Sequence, residues 1–230
     1  ISQVMHDVED LLDESIAAEG YVIREPSEPY GTEHLVDLSK IDFEALKAHF
    51  QKSHKRIQAE QLKGAISIKL RRMVRLNRIR MNFLERLQQM IDEYNAGSIN
   101  VDVFFDRLVE LAKELSVEEK RSVAEQLTEE ELAVFDLLAK PEISLTSKEE
   151  RNVKRVARSL LETLKQEKLV LDWRKRQQSR AAVRLCIEET LDELPATYTK
   201  EIYVRKCDVV YQHVYDSYFG RGRSIYAEAA

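Results

Sequence analysis

Glycine, proline and cysteine are all scarce in this 230-residue chain, with six, four and two residues respectively. An all-β fold draws heavily on glycine and proline for its tight turns, so their scarcity argues against one. Cys186 and Cys207 stand apart with no CxxC spacing, which supports neither a disulfide framework nor a thiolate zinc site. No apolar run approaches the roughly 20 residues that a membrane-spanning helix needs, and no membrane contact is expected. The chain opens on Ile1 with no basic and apolar leader behind it. These features predict a piece of a longer cytoplasmic protein without a secretion signal.

Motifs for catalysis are missing as well. A P-loop needs GxxxxGK(S/T) so that backbone amides can wrap phosphates, and the glycines here never reach that spacing. GxSxG, HExxH and the EF-hand loop are absent. His6, His34, His49, His54 and His213 form no metal spacing. Glu118-x-Lys120 has the look of the acid-and-lysine pair of metal-dependent nucleases, but it lacks a further carboxylate held on a rigid strand. A helix start capped by Ser116 and Glu119 is the simpler explanation. No catalytic residue, cofactor site or metal site is expected in this chain.

What is present is helical periodicity in a chain that is 43% hydrophobic and 33% charged. Val4, Val8, Leu11, Leu12 and Ile16 predict an N-terminal helix. Pro26, Pro29 and Gly31 mark a linker, so residues 1–34 are read as a helix and connection. The main domain is placed at 35–218. Its first helix starts near Asp42, with Phe43, Leu46 and Phe50 inward. The longest element is expected from about His54 to Tyr94. Its stripe runs Ile66, Leu70, Met73, Met81, Leu84, Leu87, Gln88 and Ile91, and Asn95-Ala96-Gly97 closes it.

A further helix buries Val101, Phe104, Phe105, Leu108, Leu111, Ala112 and Leu115. Capping boxes at Ser116/Glu119, Thr128/Glu131 and Thr146/Glu149 then predict three short helices. Two more cover about 174–191 and about 199–218. Gly220-Arg221-Gly222 is read as a terminator and 219–230 as a frayed, flexible tail. The expected fold is all-α, an irregular multi-helix bundle with one long helix.

Charge is distributed in blocks beneath a net value of −5. Residues 1–37 hold ten acids and one Arg, whereas 52–86 hold eleven Lys/Arg and two Glu. On the expected long helix, Arg71, Arg75, Arg78 and Arg86 fall opposite the apolar stripe. Such a ridge can contact phosphates, meet an acidic partner, or pair with the chain's own acids. Arg176, Arg180 and Arg184 step by four with the same options, and Arg184 can pair with Glu188. Asn77 interrupts the apolar stripe and needs a buried partner. Trp173, the only tryptophan, is expected to anchor a helix–helix junction. Tyr203, Tyr211, Tyr215 and Tyr218 crowd the last helix, on a core face or an interface.

Several stretches together resemble the C-terminal helical region of the type I restriction enzyme R subunit. They are VDLSKIDFEAL (36–46), RLNRIRMNFL (75–84), YNAGS (94–98), LTEEELAVFDLL (127–138), LDWRKRQQSRAAVR (171–184) and YTKEIY (198–203). The resemblance runs from about Leu35 to Tyr218, and residues 1–34 fit it less clearly. It implies a large bacterial subunit with a nuclease domain and motor lobes that use ATP and Mg²⁺ to translocate and cut DNA. None of those motifs lies in this chain, so no family catalytic residue maps onto it. The resemblance also implies partners: the methyltransferase and specificity subunits of the restriction complex, the subunit's own motor domains, and duplex DNA. Two functions are open at this point, a non-catalytic module docking the subunit onto the methyltransferase core and a DNA-contacting arm using the basic ridge.

Overall fold

A computed structural model of the chain describes residues 41–51, 55–141 and 143–228. The N-terminal helix and linker predicted over 1–34 lie outside the described residues. The described elements are α1 (Phe43–Phe50), α2 (Lys55–Leu76), a 3₁₀ turn (Arg78–Arg80), α3 (Met81–Asn95), α4 (Val101–Ala124) and α5 (Glu129–Ala139). They continue with α6 (Ser147–Thr163), a π-turn (Leu164–Lys168), α7 (Gln177–Leu191), α8 (Lys200–Ser217), β1 (Tyr218–Gly220) and β2 (Arg223–Ser224). The protein is mainly α-helical. Among the described residues no helix is long and apolar enough to cross a membrane.

Caps explain most of the boundaries. The Asp42 carboxylate accepts from the amides of Glu44 and Ala45 at the start of α1. Thr128 and Glu131 form a reciprocal box at α5, and Thr146 and Glu149 form another at α6. Gly97, at φ +73°, ends α3 with its amide on the Tyr94 carbonyl and that of Ser98 on Glu93. This is the paired C-terminal arrangement that a left-handed residue permits.

Three sequence expectations are corrected. The long helix is two helices, because the chain leaves helical geometry at Asn77. The Asn77 side-chain oxygen accepts from the amide of Ile79, so the residue caps the following 3₁₀ turn. Met81 and Gln88, assigned to the buried stripe, are consequently exposed. Ser116 starts no helix: it lies inside α4, and Glu119 takes the Lys69 ammonium and not a cap amide. Residues 219–228, expected as a frayed tail, form a hairpin and turns that bury Ser224, Ile225 and Tyr226.

The chain divides into two compact units. Of the described residues, the first takes those up to 73 together with 80–121, and the second takes 74–79 and those from 122 onward. In the first unit Ile66, Leu70, Phe104, Leu108, Leu111 and Leu115 make the core. Phe50 stacks on Phe105 at 3.7 Å and Tyr94 on Phe104 at 4.5 Å. In the second, α5 packs against α6 and α8, and α7 packs against α6 and α8, a closed ring of four helices. Leu132, Phe135, Val156, Leu160, Ile187 and Val210 fill its centre. Lys206, almost fully buried, donates to the Leu137 and Lys140 carbonyls at 2.8 and 2.7 Å, satisfying acceptors that the end of α5 leaves without a helical donor.

Gln126 ends α4 as a non-glycine residue at φ +56°, with its amide on the Val123 carbonyl and that of Leu127 on Ser122. A side chain in that region costs energy that glycine avoids. Gln126→Gly should therefore stabilise the chain by about 0.5–1 kcal/mol, read from the midpoint of urea unfolding. A destabilised variant would show that the glutamine side chain makes up for its backbone.

Candidate functional site

The arginines singled out from sequence do not share one helix face, because the helix they were placed on is interrupted. Arg71 and Arg75 lie on α2, Arg78 on the 3₁₀ turn and Arg86 on α3. Arg71 and Arg86 belong to the first unit, Arg75 and Arg78 to the second. Arg86 forms a two-pronged pair with Glu114 at 2.5 and 2.9 Å, and Arg75 reaches Glu228 at 2.8 Å. Arg78 reaches Asp216 at 3.3 Å. Arg71 is exposed and has no side-chain partner among the described residues.

Segment 74–79 is held inside the second unit by more than those pairs. Asn77 donates to the carboxyl of Asp136 at 2.7 Å, with both residues buried. The Tyr226 hydroxyl donates to the Leu76 carbonyl at 2.7 Å. That hydroxyl has one hydrogen, so it accepts from His213 Nε2 at 3.0 Å, which fixes the proton on Nε2. His213 Nδ1 then faces the Ser217 hydroxyl. The hairpin that sequence reasoning missed thus supplies the tyrosine that closes this network. Its signal was Tyr226 itself, a large residue six positions past Gly220.

The segment around Trp173 behaves differently from the helix junction expected there. Trp173 is fully buried, donates from Nε1 to the Tyr218 carbonyl at 3.1 Å and meets Tyr215 edge-on at 5.8 Å. It pins the loop before α7 to the start of the hairpin. Arg174 donates to the same carbonyl and lies 4.4 Å over Phe219. Of the three arginines that step by four, Arg176 is the residue before α7, exposed and without a side-chain partner among the described residues. Arg180 donates to the Arg174 carbonyl at 2.7 Å. Arg184 pairs with Asp208 and with Glu188, and its guanidinium lies 5.5 Å over Tyr211. Those two carboxylates, Asp208 first, raise its pKa.

Glu118, half of the nuclease-like pair, accepts from Arg80 at 2.9 Å and Arg121 at 2.8 Å. Arg80 and Glu118 are 3% and 11% exposed, so the carboxylate is committed to guanidinium groups. Among the described residues no cluster of three His, Cys, Asp or Glu could hold a metal ion. Cys186 and Cys207 are free thiols whose pKa burial raises. A cavity of about 310 Å³ lies beside the hairpin, lined by Glu130, Lys165, Tyr218 and Arg223 among others. Glu130 is already engaged there, by Lys165 at 2.6 Å and by the Tyr218 hydroxyl at 2.8 Å.

These observations define a helical protein in which most of the conspicuous arginines are bound to carboxylates or carbonyls of their own unit. The chain belongs to the family described as type I restriction enzyme HindI endonuclease subunit-like, C-terminal, which matches residues 1–215. The match takes in residues 1–34, where the resemblance read from sequence was weakest. A Methanocaldococcus jannaschii protein named as the MjaIXP type I restriction enzyme endonuclease subunit is 33% identical over 103 residues. That alignment covers 44% of this chain and 10% of the relative, so the chain spans only a small part of the relative's length. No solved structure matches.

Three substitutions check the network. Asn77→Ala leaves the buried Asp136 carboxyl short of a donor and should cost about 1–3 kcal/mol of unfolding free energy. Arg75→Ala and Arg78→Ala, which break exposed pairs, should each cost less than about 1 kcal/mol. Equal losses in all three would place the anchor elsewhere.

Burial, with a lesser contribution from the charge of Arg78, lowers the pKa of His213 from 6.5 to about 4, against the opposing pull of Asp216 and Glu130. The folded chain holds the neutral ring, while the unfolded chain binds a proton near the ordinary value. Stability from this residue is therefore complete above about pH 6.5 and declines as pH falls toward 4, by ~3 kcal/mol in all. Urea unfolding between those limits should show a slope that His213→Gln reduces; an unchanged slope would refute the assignment.

Proposed function

We propose that this chain is a non-catalytic assembly module of a type I restriction enzyme's endonuclease subunit, docking that subunit onto the methyltransferase core. The observation that carries the reading is the internal pairing of Arg75, Arg78, Arg86 and Arg184. A DNA-contacting face keeps its guanidiniums available to displace counterions from phosphate. These four are spent on Glu228, Asp216, Glu114, and Asp208 with Glu188. In this reading the ATP- and Mg²⁺-dependent motor and the nuclease belong to other parts of a cytoplasmic subunit. The specificity subunit, whose recognition sequence directs the enzyme, joins the same complex.

The DNA-arm alternative rests on Arg71 and Arg176, which lack side-chain partners among the described residues. Of the arginines singled out from sequence, that leaves one free guanidinium in each unit, which gives a shallow salt dependence, whereas a phosphate track gives a steep one.

The chain should co-migrate with the purified methyltransferase core on size exclusion. Deleting it from the subunit should abolish assembly of the full complex. Assembly that survives the deletion would end the docking proposal. Duplex binding lost on combined Arg71, Arg75 and Arg78 charge reversal would favour the arm.

A further inference from the structure

The loop between the π-turn and α7 exposes two adjacent aliphatic side chains, Val170 at 46% and Leu171 at 49%. Leucine and valine side by side in water are an unfavourable choice for a loop, and the loop around them is held firmly. Its backbone winds through consecutive turns, with the amide of Val170 on Lys168, Trp173 on Val170, Lys175 on Asp172 and Arg176 on Trp173. The hairpin clamps it from one side. The amide of Arg221 donates to the Leu169 carbonyl at 3.1 Å, and Trp173 and Arg174 both donate to the Tyr218 carbonyl. Gly220, at φ +91°, approaches so closely that a Cβ there would stand 2.4 Å from the Val170 carbonyl oxygen.

Two non-glycine residues, Asp172 at φ +55° and Arg221 at φ +51°, adopt the costly left-handed region in these segments. Such strain persists where surrounding contacts impose it, and it gathers at binding sites. Rigid presentation lowers the entropy lost when a surface is captured.

The unpaired charge around the two aliphatics has one sign. Lys175 is occupied by Asp172 and Lys168 by Glu167. Arg176, Arg221 and Arg223 are exposed and have no side-chain partner among the described residues. An aliphatic tip beside unpaired guanidiniums is complementary to an apolar hollow edged with carboxylates. Nucleic acid would use the arginines but gain little from Val170 and Leu171.

We infer that Val170 and Leu171, with Arg176, Arg221 and Arg223, form a preformed docking knob for an acidic, apolar-centred surface on a partner protein. The inference rests on the docking role proposed above and places its contact on this knob, with the methyltransferase core as the partner. The aliphatic pair supplies the grip, and the arginines steer the approach and set the register.

The test measures binding of the 230-residue chain to the purified methyltransferase–specificity core, and separately to duplex DNA, at about 50 and 200 mM salt. Three forms are compared: the unmodified chain, Val170→Ser/Leu171→Ser, and Arg176→Glu/Arg221→Glu/Arg223→Glu. All substituted side chains are exposed, so helix content and melting temperature should be unchanged. Expected is at least a tenfold loss of core affinity in the serine variant at either salt. The charge-reversed variant should lose at least tenfold as well, chiefly through slower association at low salt. If the core binds all three forms alike, the knob is refuted while the docking role stands. No binding of the unmodified chain to the core refutes both. Duplex binding removed by charge reversal and untouched by the serine changes, with core binding unaffected by either, also overturns the inference and makes the patch a nucleic-acid surface.

Discussion

The buried contact between Asn77 and Asp136 is the constraint around which the rest of the chain is arranged. A carboxyl with no solvent access requires a donor, and the Asn77 amide is one that the fold provides. The backbone leaves the helix at the same residue, and the same side chain accepts from the amide of Ile79. The chain is thereby divided at residues 74–79, which join the second unit although their neighbours on both sides belong to the first. Tyr226 on the Leu76 carbonyl and the pairs of Arg75 and Arg78 secure the same six residues.

This arrangement changes the meaning of the basic residues between 71 and 86. On an uninterrupted helix they would present a ridge of cations. In the folded chain Arg75 and Arg78 are short tethers over a buried polar anchor, and Arg86 braces α3 against α4. The exposed pairs are individually weak, since water screens them and long side chains lose freedom in forming them. Much of the specificity of the segment therefore lies in the buried amide, the tyrosine hydroxyl and the neutral histidine. Charge that is counted along a sequence can be consumed by the fold and never reach a partner.

Helix type and many helix ends were legible in the residues. Thr128/Glu131 and Thr146/Glu149 cap as their spacing requires, Gly97 closes α3, and the face of Phe104 to Leu115 is buried as the periodicity demands. Ser116/Glu119 has the same local pattern and no cap, because Lys69 and Arg80 engage Glu119 and Glu118 and the helix runs on. The pattern shows that a cap is possible; a distant cation decides whether it forms. Arg184–Glu188 was legible because both lie on one helix, whereas the stronger influence of Asp208 comes from α8.

Local spacing by itself determined that this is a helical chain, where most helices start, and which faces go inward, since these depend on hydrogen bonds and apolar periodicity within a few residues. The order of its segments also carried the restriction-subunit resemblance that the family match bears out. Tertiary structure alone decided the break at Asn77, the division into two units, the burial of Lys206 and His213, and the folding of the last residues onto Trp173 and Leu76. Each of those depends on satisfying a buried polar group with a partner at least 13 positions away, as in His213 with Tyr226 and Lys206 with Leu137. No pattern within a single helix encodes such a partner.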